Sequence, residues 1–80
     1  MYYLYILQSE KTGRYYVGAS NNVQRRLIEH NSGVVKSTAP YSPWIIKRVE
    51  AFPNTELAYQ RERFIKAKKS RKIIEKIISS

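Results

Sequence analysis

The stretch Tyr15-Tyr16-Val17-Gly18-Ala19-Ser20-Asn21-Asn22-Val23-Gln24-Arg25-Arg26-Leu27-Ile28-Glu29-His30 constrains the fold most, because it reads as a strand, a tight polar turn and a helix in unbroken succession. Tyr15 to Val17 is aromatic and β-branched, which suits a pleated, half-buried surface. Gly18 permits a bend or a close backbone approach that a side chain would block. Ser20, Asn21 and Asn22 offer oxygens to the unpaired amides of a helix start, and Val23, Leu27 and His30 then share one helical face. Arg26 and His30 stand four apart on the edge of that apolar stripe, where a cation beside an imidazole could serve a phosphate. A helix end near Asn31 or Gly33 would close the segment and favour His30 in its last turn.

The rest of the chain supplies partners for this unit. Tyr2 to Leu7 is a strand without polar alternation, as expected when both faces of a sheet are covered. Glu10 to Gly13 reads as the turn of a hairpin. If an odd-numbered residue of the first strand pairs with an even-numbered one of the second, Tyr5 and Tyr16 share a face, and a slip of one residue separates them. Asn31 to Pro43 reads as a long loop. Trp44 to Phe52 is a third strand, alternating imperfectly and stopped by Pro53. Asn54 or Thr55 caps a helix from Glu56 to Lys68, with Leu57, Ala58, Phe64 and Ile65 on its apolar face and Glu62 just beyond that face. Arg61 falls inside the apolar arc and is explained only if it snorkels or pairs with an acid. Ser70 caps a last helix, Arg71 to Ile78, whose face is Ile73, Ile74, Ile77 and Ile78.

Eighty residues support a single domain over residues 1–80, and a domain this small buries only about 60 % of its unfolded surface, so any site is shallow. The absence of cysteine and the presence of one histidine exclude disulfide staples, thiolate zinc centres and histidine-rich metal sites. No apolar run approaches a membrane span and no leader pattern opens the chain, so a soluble, cytoplasmic protein that does not engage a membrane is expected. Lysine and arginine total 15 against 6 acidic residues, a net charge of +9 that calls for a polyanionic partner. Most of that excess lies in the C-terminal third. Arg61, Lys68, Lys69, Arg71 and Lys72, joined by Lys36 from the long loop, form the expected nucleic-acid track.

Taken in order, Tyr3-Leu4-Tyr5, then Tyr16-Val17-Gly18, then Arg26, His30 and Asn31, then Glu62 in a second helix, the chain resembles the GIY-YIG nuclease domain over roughly residues 2 to 70. It is most similar to the small stand-alone bacterial members of the YhbQ/YazA type. The resemblance implies an α/β (α+β) fold: a three-stranded antiparallel sheet flanked by three helices in the order β-β-α-β-α-α. It implies an endonuclease that hydrolyses DNA phosphodiester bonds with one Mg²⁺ or Mn²⁺, and branched or damaged DNA in repair or recombination is the expected setting. The Ile-rich face of the last helix could bury within the chain or make a dimer, and a monomer is expected because so small a domain needs that area for its own core. By position, Tyr5 and Tyr16 match the two motif tyrosines, Gly18 the structural glycine, Arg26 the helix arginine, His30 a position that holds Tyr or His, and Glu62 the metal-binding glutamate.

The chain departs from the pattern at Tyr3, where the first motif has Gly, and at Ala19, where some relatives carry Lys. A polar Asn that some relatives supply from the late helices is also missing. The alternative is therefore a nucleic-acid-binding module that keeps the fold without turnover. In the catalytic reading, Arg26 offers a permanently charged fork to a phosphate oxygen. An unperturbed tyrosine is only about one part in a thousand phenolate at pH 7, so a tyrosine base needs a neighbouring cation. Tyr5 or Tyr16 is the expected base, with His30 orienting it or taking the role itself.

Overall fold

The computed structural model describes all residues from Met1 to Ser80. Its elements are β1 (Tyr2–Ser9), β2 (Tyr15–Ser20), α1 (Val23–Ser32), a short 3₁₀ turn (Ala39–Tyr41), β3 (Trp44–Phe52), α2 (Thr55–Lys68) and α3 (Arg71–Ser79). The strands form one antiparallel sheet in the order β2-β1-β3. This is the fold class and element order the sequence predicts. No helix is long and apolar enough to cross a membrane.

β1 is the central strand, which is why it lacks polar alternation: Leu4, Tyr5, Ile6 and Leu7 are all buried, alternately on opposite faces. On one face Leu4, Ile6 and Val17 pack with Ile65 of α2, and Ile74, Ile77 and Ile78 of α3 close over them. On the other, Tyr5, Leu7 and Trp44 pack with Val23 of α1, and Tyr16 and Leu27 border them. Each fully buried Leu or Ile of this set contributes roughly 1.5–3 kcal/mol relative to exposure.

The hairpin register pairs Tyr5 with Gly18 and Leu7 with Tyr16. An odd residue of β1 thus opposes an even one of β2, so Tyr5 and Tyr16 share a face. The turn between the strands is tied by Ser9, whose hydroxyl accepts from the amides of Lys11 and Thr12, while Gly13 takes φ +79°.

β3 alternates imperfectly for a definite reason. Its register against β1 shifts between Ile6, opposite Arg48, and Leu7, opposite Ile46, so Lys47 is the extra residue of a bulge. The bulge sends Trp44 and Ile46 to the Tyr5 face and Phe52 to the Leu4 face. It also points Glu50 towards α2, where Arg61 Nε donates to Glu50 Oε1 at 2.9 Å. That ion pair accounts for a cation inside the apolar arc of α2.

The caps follow the sequence. Asn22, Asn54 and Ser70 accept the amides of Arg25, Leu57 and Ile73. α1 runs one residue past Asn31 and closes at Gly33 with φ +85°. Asn31 instead clamps the start of β3: its Oδ1 accepts from the Trp44 amide at 2.6 Å and its Nδ2 donates to the Trp44 carbonyl at 3.1 Å. The stretch expected to be a plain loop contains the 3₁₀ turn, and Thr38 at its start is buried.

Candidate active site

β2 is an edge strand, and the conspicuous side chains converge on it from three elements. Gly18 makes the approach possible. A Cβ there would lie 2.6 Å from the Tyr5 hydroxyl oxygen, 2.7 Å from Tyr5 Cζ and 3.0 Å from Tyr16 Cε2. Gly18 stays within the strand and needs no unusual backbone; its role is to let the Tyr5 ring lie across β2.

The Tyr5 ring is 1 % exposed, and its hydroxyl lies 3.2 Å from His30 Nε2. His30 is fully buried, with Nδ1 2.8 Å from the Thr38 hydroxyl. The protons follow from the ends of this chain. Thr38 donates its own proton to the Val35 carbonyl, so its oxygen accepts from His30 Nδ1–H. Nε2 is then bare and accepts from the Tyr5 hydroxyl. Arg26 completes the row: its guanidinium lies near the Tyr5 oxygen and pairs with Glu29.

The charges agree with that arrangement. Burial pushes the Tyr5 phenol above its ordinary value, with the neighbouring Arg26 guanidinium only partly opposing it. Burial, then the Arg26 charge, lowers His30 below its ordinary 6.5. Both groups are therefore neutral at pH 7, and Tyr5 holds its proton. The neighbouring Tyr5 oxygen in turn raises Arg26, which stays charged.

Tyr16 differs from Tyr5. Its ring lies 4.6 Å from that of His30 and 6.2 Å from that of Tyr5, while its hydroxyl makes no hydrogen bond within the protein and reaches solvent. From the opposite face of the sheet, α2 brings Glu62 and Lys66 to the same edge. Glu62 is near enough to Tyr5 to oppose its ionisation. Its side chain is 17 % exposed; Oε2 accepts from Lys66 Nζ at 2.7 Å, and Oε1 faces solvent. Lys66 Nζ is also 5.8 Å from the centre of the Tyr16 ring.

Tyr5, Tyr16, Arg26, His30 and Glu62 thus gather at one strand edge. No group of three or more His, Cys, Asp or Glu side chains occurs anywhere in the chain, so a metal ion at Glu62 would have at most two such ligands. Of the candidate DNA cations, Lys36, Lys68, Lys69, Arg71 and Lys72 are exposed. Arg61 is engaged by Glu50, which leaves its charge largely spent inside the molecule. A groove of about 440 Å³ between β2, α2 and α3 is lined by Arg14, Lys66, Lys69 and Arg71 over Tyr15 and Ile74.

Two participants are absent from the sequence expectations. Lys66 stands four residues after Glu62, a helical ion-pair spacing visible in the sequence. Thr38 gives no such signal, because only the tertiary fold brings it under His30.

Comparison with known proteins finds relatives along most of the chain. The family model described as the GIY-YIG catalytic domain matches residues 1–76. A UPF0213 protein of Halobacterium salinarum is 36% identical over 67 residues, covering 82% of this chain and 86% of that one. A UPF0213 protein of Streptococcus pneumoniae serotype 4 is 35% identical over 68 residues, covering 84% and 68%. The solution NMR structure of the UPF0213 protein BH0048 from Bacillus halodurans superposes with a TM-score of 0.62 at 34% identity, covering 99% of this chain and 84% of that one.

Proposed function

The chain belongs to the GIY-YIG catalytic-domain family, and from that membership we propose that it is a divalent-metal-dependent endonuclease hydrolysing DNA phosphodiester bonds. The observation that carries this reading is the convergence of Tyr5, Tyr16, Arg26, His30 and Glu62 on the exposed edge of β2, with two of them engaged through hydrogen bonds that fix their protons. Packing alone does not call for a cation, an imidazole, two phenols and a carboxylate at one place in a domain of this size.

Glu62 would hold the ion. One carboxylate with a solvent-facing oxygen suits Mg²⁺ or Mn²⁺, since such hard ions keep several waters and take few protein carboxylates beside phosphate oxygens. When bound, the ion polarises the phosphoryl oxygens and stabilises the leaving alkoxide. Arg26 presents its planar, permanently charged fork to a non-bridging oxygen, where charge grows in the transition state. Tyr16, with its hydroxyl open to solvent, holds the attacking water; having first released its own proton to solvent, it takes the proton of that water as the phenolate. Tyr5 retains its own proton in the hydrogen bond to neutral His30, so these two residues orient the Arg26 guanidinium and the Tyr16 ring. The exposed cations of α2 and α3 carry the flanking DNA backbone.

The second reading, a binding module without turnover, draws on the ion pair that already occupies Glu62. Cleavage of labelled single-stranded, duplex, flap and branched DNA by the wild type and Glu62→Gln, with Mg²⁺, Mn²⁺ or EDTA, separates the two. Metal-dependent cutting that vanishes in Glu62→Gln supports the nuclease. Salt-sensitive binding with no cutting of any substrate supports the module. Tyr16→Phe is expected to lower turnover more than Tyr5→Phe, and the reverse order would move the base to Tyr5.

A further inference from the structure

We propose that Lys66 is an internal counter-ion which masks Glu62 until the DNA backbone draws its ammonium away, so that metal loading follows DNA binding. The inference rests on the nuclease reading and adds an order of assembly to it. Glu62 is the carboxylate proposed to hold the ion, Glu29 being paired with Arg26, and a cation already sits 2.7 Å from the Glu62 Oε2. A divalent ion approaching that oxygen in the free protein meets the Lys66 ammonium, and the Arg26 guanidinium stands near the same Tyr5. Repulsion at such range weakens the binding of a lone dication.

A phosphate changes the balance. Lys66 also lines the groove that Arg14, Lys69 and Arg71 make electropositive. Its side chain is 52 % exposed and flexible enough to swing from Glu62 to an oxygen in that groove. The ammonium then gains a phosphate partner, both oxygens of Glu62 are free, and the repulsion at the carboxylate is relieved in the same movement. Lys66 thereby acts twice, as a mask in the free protein and as a backbone contact in the complex. Its place 5.8 Å from the Tyr16 ring puts that contact beside the water-holding phenol.

The test is Mn²⁺ binding followed by electron paramagnetic resonance on the DNA-free protein, where no turnover is read. Lys66→Met removes the charge and keeps the stem. It is expected to tighten Mn²⁺ binding about three- to fivefold, the scale of releasing a part-exposed ion pair. Adding Glu62→Gln to that variant should abolish the gain. Lys47→Met, an equal charge change on an exposed residue of β3, should leave the affinity unaltered. In the wild type a duplex oligonucleotide should tighten Mn²⁺ binding by more than it does in Lys66→Met.

Equal affinity in wild type and Lys66→Met overturns the proposal. So does a gain that survives Glu62→Gln or that Lys47→Met reproduces. Circular dichroism on each variant keeps a folding failure from being read as a result, and Lys66→Gln repeats the measurement if Lys66→Met is compromised. Because this readout needs no cleavage, failure of the mask and failure of the nuclease reading are told apart.

Discussion

The two faces of β1 are packed to different ends. Leu4 and Ile6 look onto Val17, Ile65 and the isoleucines of α3, an aliphatic layer that has only volume to fill. Tyr5 and Leu7 look onto Val23, Trp44 and Tyr16, an aromatic layer in which hydroxyls, an imidazole and a guanidinium must also find partners. The first face holds its shape chiefly through area, with the Glu50–Arg61 pair beside it. The second holds its shape through oriented hydrogen bonds, so each of its residues serves packing and chemistry together, and a change there disturbs both.

Substitutions can break this contrast. Arg26→Gln should lower cleavage about a hundred- to a thousandfold, the scale of losing one preorganised charge donor, while stability falls by less than about 1 kcal/mol because its Glu29 pair is part-exposed. Single-turnover kinetics and a urea titration check the two halves. Leu4→Ala should do the reverse, costing about 2–5 kcal/mol of stability through a cavity on the aliphatic face, with kcat of the folded fraction unchanged. If Leu4→Ala instead abolished turnover in fully folded protein, the division between faces would be wrong.

Gly18→Ala sharpens the comparison, since its Cβ meets the Tyr5 ring and not the aliphatic layer. A cost of about 1–3 kcal/mol is expected from displacing a buried ring, together with lost cleavage, and Tyr5 ring resonances in NMR should shift more than Leu4 methyls. The smallest effect is in pH. His30 is lowered on folding, so the unfolded chain takes up its proton first as the solution is acidified. The contribution of neutral His30 is full above about 6.5 and is lost progressively below it, whereas on the other face the Glu50 carboxyl loses its contribution only further into acid, below about 4.5. Unfolding free energy measured against pH should fall below that point in wild type, and the His30 part of the slope should be missing in His30→Gln.

Much of this was legible from residue order. The strand of Tyr15 to Val17, the caps at Asn22, Asn54 and Ser70, and the uninterrupted apolar run of β1 each express a local rule, and local rules need no tertiary knowledge. The positions of Tyr5, Tyr16, Arg26, His30 and Glu62 were identified by motif order, but their division of labour was not. That one tyrosine is locked and the other free depends on burial and on Thr38, which no pattern within α1 could indicate. The bulge at Lys47 was visible only as imperfect alternation. Its consequence, sending Trp44 to one face and Glu50 to the other, required the pairing partner.

Arg61 marks the same boundary from the other side. As a charge in a basic run it reads as a DNA contact; in the fold it answers Glu50, whose carboxyl burial would raise but which Arg61 and Arg48 together hold below its usual range. Counting charges along a helix overstates the track whenever the acid that takes one of them comes from a strand.

The placement of Glu62 on α2 also sets a schedule. A ribosome delivers Tyr5, Tyr16, Arg26, His30 and Thr38 first, all within the segment that ends at the 3₁₀ turn. The carboxylate is made only after β3, the strand that must travel back along the chain to pair with β1. In the nuclease reading, a nascent chain therefore owns the other residues of the site before it owns its acid, and would cleave no nucleic acid until β3 and the first half of α2 have been made.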